Sequence, residues 1–271
     1  MVKSVLAIHD MSGFGRCALT VVIPMLSSFG LQAVPVPTAV LSTHTGGFTD
    51  FVFCDMTEFM KDTLLHYKQL GLSFDCVYSG YLGNQSQAAI TAEYIKIFGR
   101  DKLVVVDPAF GDDGKLYSNL DTSMVDAMRE LITYADVVTP NFTEAAFLLG
   151  QNPLVEISET EAEFWAKKLS DFGPRHSVIT GINSGDKILT VGYNKNTDTT
   201  SVVSLLKYPA SYPGCGDVFA SFVVGCMLSG KSFETSVSEA SDFIGKSIVM
   251  AADDNTPVRN GLPFETFLKN F

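Results

Sequence analysis

Short apolar runs and longer amphipathic segments alternate along most of the chain. Residues 4–8 and 103–106 are largely apolar and β-branched runs, which are typical of strands buried on both faces. Residues 86–98 instead place apolar side chains at helical spacing, so that one face of the segment is apolar. The repeated alternation of such segments predicts a parallel sheet with helices on both of its faces.

The same pattern assigns an element to each segment. Strands are predicted at residues 4–8, 33–37 with 39–41, 76–78, 103–106, 137–138 and 177–180. Helices are predicted at residues 18–29, 57–70, 86–98, 123–134, 143–149, 159–172, 218–225 and 233–252. Ser232 is a plausible cap for the last helix. Pro24 should kink or shorten the first helix, and Pro35 and Pro37 should place the second strand near a sheet edge or break it.

The chain changes character after residue 180. Two further strand-like runs, at residues 187–193 and 199–206, flank a turn-forming segment and predict a β-hairpin. No internal repeat, low-complexity segment or linker interrupts the pattern, so residues 1–271 are predicted to form one domain. The predicted fold is a three-layer α/β/α arrangement with a mostly parallel central sheet and a late β-hairpin.

Composition and charge narrow the class of protein. The chain is 46% hydrophobic and 18% charged, which indicates a globular fold rather than disorder. A formal net charge of −11 argues against a nucleic-acid partner, although a small anionic ligand needs only a local site. No apolar run reaches membrane-spanning length and no signal peptide is recognisable, so we expect no membrane partner and a cytoplasmic location. The five cysteines lack a C-x-x-C pair, which fits a reducing compartment and no zinc site.

A glycine-containing loop precedes the apolar run at residues 218–225. The loop reads Tyr212-Pro213-Gly214-Cys215-Gly216-Asp217. Its proline opposes helix, its glycines allow tight or left-handed turns, and the run that follows suits a buried helix. The resulting helix N-terminus has unpaired N–H groups and a positive dipole end, which favour an anion such as phosphate. The carboxylate of Asp217 would repel that anion, so the sequence leaves two roles open for it: a helix cap, or a base beside a site of phosphate transfer.

Polar or small side chains follow nearly every predicted strand. Ligands of an open parallel sheet bind beyond the carboxyl ends of its strands, so these side chains should meet in one crevice. They are His9, Asp10, Ser12, Thr43, His44, Thr45, Gly80, Tyr81, Asp107, Asn141, Glu144, Thr180 and residues 214–217. No Ser–His–Asp arrangement or Walker loop is legible among them. Gly13 and Gly15 resemble the start of a dinucleotide fingerprint, but Ala18 and the lack of a ribose-binding acid make that fingerprint weak.

Six of these segments occur in the order found in the ribokinase superfamily. Residues 141–144, Asn-Phe-Thr-Glu, resemble its Asn-x-x-Glu motif, and residues 214–217, Gly-Cys-Gly-Asp, resemble its Gly-Thr-Gly-Asp signature. Within the superfamily, the N-terminal half is similar to the pyridoxal/pyridoxamine kinases. The similar segments are residues 6–8 with the Gly13–Gly15 turn, residues 42–45, residues 79–83 and Asp107-Pro108. The likeness spans nearly the whole chain and implies a ribokinase-like kinase domain.

The resemblance implies ATP-dependent phosphorylation of the 5′-hydroxymethyl group of a vitamin B6 vitamer: pyridoxal, pyridoxamine or pyridoxine. Asp217 would be the general base on that hydroxyl. Backbone N–H groups of Gly214, Cys215 and Gly216, together with that of Asp217, would form the anion hole for the γ-phosphate. The resemblance also implies a homodimer, because relatives are commonly dimeric.

The resemblance places the nucleotide and its metal at four other positions. Asn141 and Glu144 would hold Mg²⁺ through water, since magnesium sheds its waters reluctantly. Asp107 would lie near the metal and the phosphates. Thr180 falls where related kinases carry a nucleotide-contacting residue, often Lys.

Four further residues are expected on the vitamer side, with Asp217. Thr45 and Tyr81 match family positions that meet the pyridine ring, and Tyr81 can cover its face. Asp10 stands where many pyridoxal kinases carry Ser. Its charge would suit a protonated ring nitrogen or a 4′-aminomethyl group, which would favour pyridoxamine. Ser12 would take over the missing hydroxyl contact.

More than one interpretation remains open for the function and for single residues. A hydroxymethylpyrimidine or sugar kinase of the same fold, or a B6-binding regulatory relative without turnover, would share the same motifs. Asn141 and Glu144 also fit a plain helix cap and capping box, and His44 fits a contact with loop backbone. Cys215 is interpreted as a small filler where others have Thr, and residues 112–113 as a solvated turn.

Overall fold

The computed structural model describes residues 2–208 and 211–268. The strands are β1 Ser4–Phe14, β2 Gln32–Thr43, β3 Phe53–Asp55, β4 Cys76–Ser79, β5 Leu103–Val106, β6 Gly111–Asp112, β7 Lys115–Leu116, β8 Val137–Val138, β9 His176–Ser184, β10 Lys187–Asn194 and β11 Thr199–Leu206. The helices are α1 Leu19–Ser28, α2 Thr57–Gln69, α3 Gln85–Phe98, α4 Thr122–Ile132, α5 Phe142–Leu149, α6 Glu159–Ser170, α7 Cys215–Leu228, α8 Phe233–Asp253 and α9 Glu265–Leu268. A 3₁₀ turn at Val258–Asn260 precedes α9. Within the described ranges, no helix has the length and apolar character that crossing a membrane requires.

Nine strands form one sheet in the order β11-β10-β9-β8-β5-β4-β1-β2-β3. The six strands from β9 to β2 in that order pair in parallel. Antiparallel pairing is confined to β3 at one edge and to β10 and β11 at the other. The predicted mostly parallel sheet and late hairpin are therefore confirmed.

Side chains of the strands alternate between two apolar cores, one on each side of the sheet. Along β1, Leu6 and Ile8 belong to one core and Val5 and Ala7 to the other, because successive side chains of a strand point to opposite faces. Helices α2 to α6 cover the first core, and α1, α7 and α8 cover the second. Burial on both faces explains why the parallel strands are continuous apolar runs, and it confirms the three-layer prediction.

The second strand is continuous, so of the two outcomes expected from its prolines, a position near a sheet edge or a break, the break does not occur. The N–H of Gln32 donates to Lys3 O, which turns the N–H groups of even-numbered residues toward β1 in this part of the strand. Pro35 and Pro37 lack an N–H on the other side, where β3 pairs only from Ala39 onward. No ladder hydrogen bond is lost, and the predicted position near a sheet edge is confirmed.

The first strand is longer than predicted, and the turn expected at residues 9–15 is largely wrong. Strand β1 continues to Phe14 because a bulge between His9 and Met11 lets it pair with the far end of β2. The bulge shifts the register at the two residues that carry the candidate chemistry, His9 and Asp10. Pro24 lies inside α1, which is one residue shorter at each end than the predicted helix.

Three features escape local prediction because their partners are distant or their runs are short. Strand β3 has only three residues, all exposed, and is ordered by pairing with β2. Strands β6 and β7 form a short two-stranded hairpin, whose turn is at Asp113 and Gly114. Asp112 and Asp113 are both exposed, so the solvated turn expected there is the tip of this hairpin. Strand β9 runs past Thr180 to Ser184, because it pairs with β10. The short helix α9 and the 3₁₀ turn before it have no counterpart among the predicted elements. The other elements lie within three residues of their predicted bounds, and Ser232 caps α8 as predicted.

Candidate active site

Helix α7 begins at the glycine loop, as predicted. Gly214 is its N-cap residue, with a left-handed φ of 84°. A Cβ on this residue would lie 1.9 Å from the backbone oxygen of Arg16, so the loop backbone approaches the β1–α1 connection more closely than a side chain permits. The N–H groups of residues 215–217 lie in the first helical turn, where no intrahelical carbonyl is available to them. A Cβ on Gly216 would meet nothing within 4 Å, so the loop has an open side.

Asp217 does not cap its own helix. Its Oδ2 accepts a hydrogen bond of 2.8 Å from the backbone N–H of Ala18, and its Oδ1 lies 2.8 Å from His9 Nε2. Ala18 is the N-cap residue of α1 and holds an unusual backbone conformation, φ 57° and ψ −140°. Such a conformation costs about 1–3 kcal/mol and persists only where surrounding contacts enforce it. The cap interpretation of Asp217 is therefore wrong for α7, and its carboxylate is fixed on both oxygens.

His9 links Asp217 to Asp10. Its Nδ1 lies 2.9 Å from Asp10 Oδ1 and also 2.9 Å from the backbone N of Asp10, while the Asp10 Oδ2 accepts a 3.0 Å hydrogen bond from Ser12 Oγ. Burial by itself lowers the pKa of His9, but the charges of Asp217 and Asp10 and hydrogen bonds to both outweigh burial and raise the pKa to about 10. A carboxylate oxygen only accepts, so hydrogen bonds to both Asp217 and Asp10 require a proton on each ring nitrogen, which makes the ring an imidazolium. In that form Nδ1 donates to Asp10 Oδ1 and cannot also accept the backbone N–H of Asp10 that points at it.

The Asn141–Glu144 pair forms a complete capping box at the start of α5. The side chain of Asn141 accepts the N–H of Glu144 at 2.9 Å, and Glu144 Oε2 accepts the N–H of Asn141 at 2.8 Å. Glu144 Oε1 also accepts the N–H of Phe110 at 3.1 Å, and Asn141 Nδ2 donates to Gly111 O at 2.7 Å. The capping prediction is therefore confirmed, and the box also ties α5 to the β5–β6 connection.

Two buried acids, Glu144 of this box and the neighbouring Asp107, repel one another. Burial and the charge of Asp217 raise the pKa of Asp107 to about 7, although His9 and a 3.0 Å hydrogen bond from Thr139 Oγ1 oppose the shift. Burial and the charge of Asp107 raise the pKa of Glu144 well above its ordinary value. Paired buried carboxyl groups of this kind fit a nearby cation. No group of three or more metal-ligating side chains occurs within residues 2–208 and 211–268.

The predicted vitamer-side residues differ in how they are placed. Tyr81 is half-buried, its Oη accepts a 2.5 Å hydrogen bond from Asn119 Nδ2, and its ring lies 6.3 Å from that of Tyr117. Burial raises its pKa, and the charge of Asp10 acts in the same direction. Thr45, in contrast, is exposed. Asp10 and Ser12 are buried and bonded to each other, so part of their hydrogen-bonding capacity is already used.

Two further candidate residues, His44 and Thr180, form hydrogen bonds with backbone groups of other segments. The Nδ1 of His44 accepts the N–H of Gly46 at 3.1 Å, so its Nε2 is protonated and donates to Arg259 O at 2.8 Å. This confirms the loop-backbone interpretation of His44. Thr180 bridges to Asn141 as an isolated parallel pair, and its N–H donates to Pro140 O at 3.1 Å. The strand-end rule therefore brings Thr180 beside the capping box.

The structure brings together most of the residues that the strand-end rule selects, and it adds two contacts of Asp217. In the sequence, Ala18 is notable only because it stands where the dinucleotide fingerprint has glycine, and no hydrogen-bond partner of His9 can be recognised. The sequence signal for His9 is a His-Asp pair at a strand end, but its contact with Asp217 joins residues 208 positions apart.

A groove of about 680 Å³ lies at the end of the sheet where the parallel strands begin. It is lined by the starts of β5 and β9, including Leu103, Val104 and His176. Ligands of parallel sheets bind at the carboxyl ends of the strands, and the candidate site residues lie there. The groove is therefore at the other end of the strands from the candidate active site.

An open helix N-terminus with a fixed carboxylate beside it suits the transfer of a phosphoryl group to a hydroxyl. The fold and the site therefore define a small-molecule kinase with a ribokinase-like α/β fold. The chain belongs to the phosphomethylpyrimidine kinase family, whose sequence profile matches residues 23–260.

Relatives of known structure agree with this assignment. A Bacteroides thetaiotaomicron protein, assigned provisionally as a phosphomethylpyrimidine kinase, is 40% identical, with a TM-score of 0.95 over 99% of this chain and 93% of that one. A second crystal form of it, which contains pyridoxal, is 38% identical, with a TM-score of 0.92 over 100% and 96%. Pyridoxal kinase from Lactobacillus plantarum is 27% identical, with a TM-score of 0.90 over 100% and 96%.

A plant relative has the same kind of name. Pyridoxal kinase from Arabidopsis thaliana is 29% identical over 216 residues, which are 74% of this chain and 66% of the plant protein. This chain thus spans about two thirds of the length of that relative.

Proposed function

We propose that this chain transfers the γ-phosphoryl group of ATP to the 5′-hydroxymethyl group of a vitamin B6 vitamer, in the salvage of pyridoxal phosphate. The observation that carries the proposal is the carboxylate of Asp217, fixed on both oxygens beside the open first turn of α7. The names of the relatives support the acceptor, since the 38% identical structure contains pyridoxal.

Asp217 and the glycine loop would divide the chemistry. The 5′ oxygen forms a bond to the γ-phosphorus while the bond from that phosphorus to the ADP oxygen breaks, and Asp217 accepts the hydroxyl proton. Transfer of this proton late in a loose transition state requires little tuning of the base. The N–H groups of Gly214, Cys215 and Gly216 would stabilise the charge on the transferred group, and losing one such donor typically costs about 3–4 kcal/mol of barrier.

We propose a magnesium site beside the capping box. Asn141 and Glu144 would hold Mg²⁺ through water, because both side chains already bond to backbone groups and Mg²⁺ keeps its own waters. Asp107 would lie near the ion and the phosphates. The raised pKa values of Asp107 and Glu144 support this site, because a cation would relieve the repulsion that causes them in part. When bound, the ion neutralises charge on the phosphates.

We place the adenine in a pocket of about 380 Å³ beside the glycine loop. The pocket is lined by Tyr212, Ile248 and Ala252 among others, so it combines aromatic and apolar walls from the loop and from α8. Its volume lies within the range of small-molecule sites, and Tyr212 is only two residues from Gly214. Thr180 would contact the nucleotide from the other side of the phosphates.

The vitamer would lie across from the phosphates, between Tyr81, Thr45 and Asp10. The half-buried ring of Tyr81 offers a face for the pyridine ring. Both Asp10 oxygens already have partners, His9 and Ser12, but each keeps a lone pair, and we propose that the ring nitrogen or the 4′ substituent meets Asp10 and Ser12 there.

The second candidate is phosphorylation of hydroxymethylpyrimidine. The matched family is named for a kinase of phosphomethylpyrimidine, which has the same ring in phosphorylated form. Hydroxymethylpyrimidine itself again presents a hydroxymethyl group on a nitrogen heterocycle. A sugar kinase of the same fold and a B6-binding relative without turnover are also compatible with the motifs. The fixed carboxylate of Asp217 counts against a relative without turnover, because binding requires no base.

An assay of ATP consumption separates these functions when each candidate acceptor is supplied in turn. The acceptors are pyridoxal, pyridoxamine, pyridoxine, hydroxymethylpyrimidine and ribose. We expect turnover with at least one B6 vitamer, and turnover with hydroxymethylpyrimidine or ribose alone would overturn the proposal. Asp217→Asn keeps the shape of the side chain but removes the base, so kcat should fall about 10²- to 10⁴-fold while ADP binding changes little. Asp62→Asn, an exposed change on α2, is the matched control.

We also propose a homodimer in the cytoplasm, on the resemblance to dimeric relatives. Light scattering coupled to size-exclusion chromatography tests the dimer, with a mass of twice 29.4 kDa as the expected result. A particle of monomer mass at micromolar concentration would contradict it.

A further inference from the structure

His9 joins two carboxylates into one buried chain, Asp10–His9–Asp217. Its two ring nitrogens lie 2.9 Å from Asp10 Oδ1 and 2.8 Å from Asp217 Oδ1. The side chain of His9 is only 3% exposed, and a Cβ on Gly80 would lie 2.0 Å from its ring. The ring is thus held against the backbone after β4 and keeps its direction toward Asp217.

The groups around the ring stabilise its charged form. Asp10 on β1, Asp217 on α7 and Asp107 after β5 face it electrostatically, and the ring of Tyr78 on β4 meets it edge-on at 6.5 Å. Burial lowers the pKa of His9, but Asp217 and Asp10 outweigh burial and raise it to about 10. Both ring nitrogens face carboxylate oxygens, which only accept, so both N–H groups donate, one to each carboxylate.

We propose that His9 is a positioning residue for the base Asp217. Its Nε2–H and the N–H of Ala18 each bond one oxygen of Asp217, which sets the plane of the carboxylate relative to the loop. Its positive charge also offsets carboxylate charge next to the triphosphate. This inference rests on the proposed kinase function and adds to it the chain that orients the base.

His9 keeps both of its protons during the reaction. The 5′ oxygen bonds to the γ-phosphorus as the bond to ADP breaks, and the hydroxyl proton passes to a remaining lone pair of Asp217. Asp217 returns that proton to solvent after the product leaves. The role of His9 is geometric and electrostatic, so its loss should affect kcat more than the KM of either substrate.

Three variants separate the parts of this role. His9→Gln keeps a donor toward Asp217 without charge, His9→Ala removes the donor, and Asp10→Asn keeps the shape but removes the charge that stabilises the imidazolium. Hydrogen bonds to charged groups typically correspond to about 10- to 100-fold in an equilibrium or rate constant. We expect kcat to fall by about that factor in His9→Ala and by less in His9→Gln, with KM values unchanged within about threefold. His66→Gln, an exposed change on α2, is the control.

The pH profile of kcat/KM distinguishes positioning from a merely structural role. Wild type should stay active until His9 loses its proton near pH 10. In Asp10→Asn the loss of activity at high pH should begin nearer neutral pH, because the imidazolium has lost one of its two counter-charges. In His9→Gln this loss of activity at high pH should be absent. Nitrogen-15 NMR of the ring, assigned with His9→Gln, should show both nitrogens protonated at pH 8 without any turnover.

Each result decides between the claims. An active enzyme whose Asp10→Asn profile matches wild type, or a His9 ring with one proton at pH 8, would overturn the positioning role and leave the kinase function standing. Lack of turnover by wild type with every vitamer would overturn both.

Discussion

Gly214 is the residue at which the glycine loop becomes α7, and replacing it tests how tightly the site is built. Its φ of 84° is left-handed, and a Cβ there would lie 1.9 Å from Arg16 O and 3.0 Å from Arg16 C. Both contacts are with backbone, so relief requires the segment between β1 and α1 to move. That segment carries the Ala18 N–H that holds Asp217. Gly214→Ala should therefore lower both stability and kcat.

The size of the stability loss follows from two terms. An alanine in the left-handed region costs about 1–2 kcal/mol, and overpacking of a close contact costs about 1–3 kcal/mol more. The free energy of unfolding should thus fall by about 2–5 kcal/mol, a large part of the 5–15 kcal/mol that is typical of a folded domain. At about 2–4 °C per kcal/mol, Tm should fall by roughly 4–20 °C.

Thermal unfolding followed by circular dichroism measures this change, and Gly216→Ala is its matched control. A Cβ on Gly216 meets nothing within 4 Å, and alanine is a better helix former than glycine by about 1 kcal/mol. Gly216→Ala should therefore melt at or above the wild-type temperature. The reasoning is refuted if Gly214→Ala melts with wild type, or if both variants lose the same stability.

The remaining predictions concern the capping box, the His9 charge and Tyr81. Asn141→Ala removes a helix cap and a donor to Gly111 O, so urea unfolding should show a loss of about 1–2 kcal/mol and half-maximal activity should need more Mg²⁺; an unchanged unfolding free energy and Mg²⁺ response would contradict this. The folded-state pKa of His9 is raised from 6.5 to about 10, so its stabilisation is complete below pH 6.5 and is lost as pH rises through about 10. The shift corresponds to on the order of 5 kcal/mol for this buried group, and the unfolding free energy of wild type should fall relative to His9→Gln across that window; parallel curves would refute the charge assignment. Tyr81→Phe keeps the ring and should leave the KM for the vitamer within about threefold, whereas Tyr81→Ala should raise it; equal effects would exclude a role for the ring face.

Most of the fold could be predicted from the sequence because local pattern records burial. A strand buried on both faces must be apolar throughout, and a helix that covers a sheet must be apolar along one stripe. Those rules locate the parallel strands and the eight longer helices. They fail where order comes from pairing with another segment, as in β3 and in the far half of β1, and where the strands have only two residues, as in the β6–β7 hairpin. There the residues carry no strong preference of their own.

The prolines of β2 show the same limit. A proline removes one donor, and the sequence shows that a donor is missing. Whether this matters depends on which neighbour lies on that side of the strand. Pro35 and Pro37 turn toward the side where β3 does not reach, so the strand continues.

The candidate site likewise has parts that the sequence predicts and parts that it does not. The glycine loop, the Asn141–Glu144 box and the polar strand ends could be identified from the sequence, because glycine, capping residues and breaks in apolar runs are local signals. The two contacts that fix Asp217 could not, since they come from residues 199 and 208 positions away.

Asp217 is the clearest case of what each level decides. The sequence by itself determined that a carboxylate stands in the first turn of a helix beside an anion-binding loop, and it left both a cap and a base possible. Only the tertiary structure removed the cap, because the sheet order places β1 and the start of α1 against α7 and gives both oxygens other partners. The physical reason is that backbone preference and burial are properties of short segments, whereas the direction and charge of a buried side chain are set by whatever the fold packs beside it.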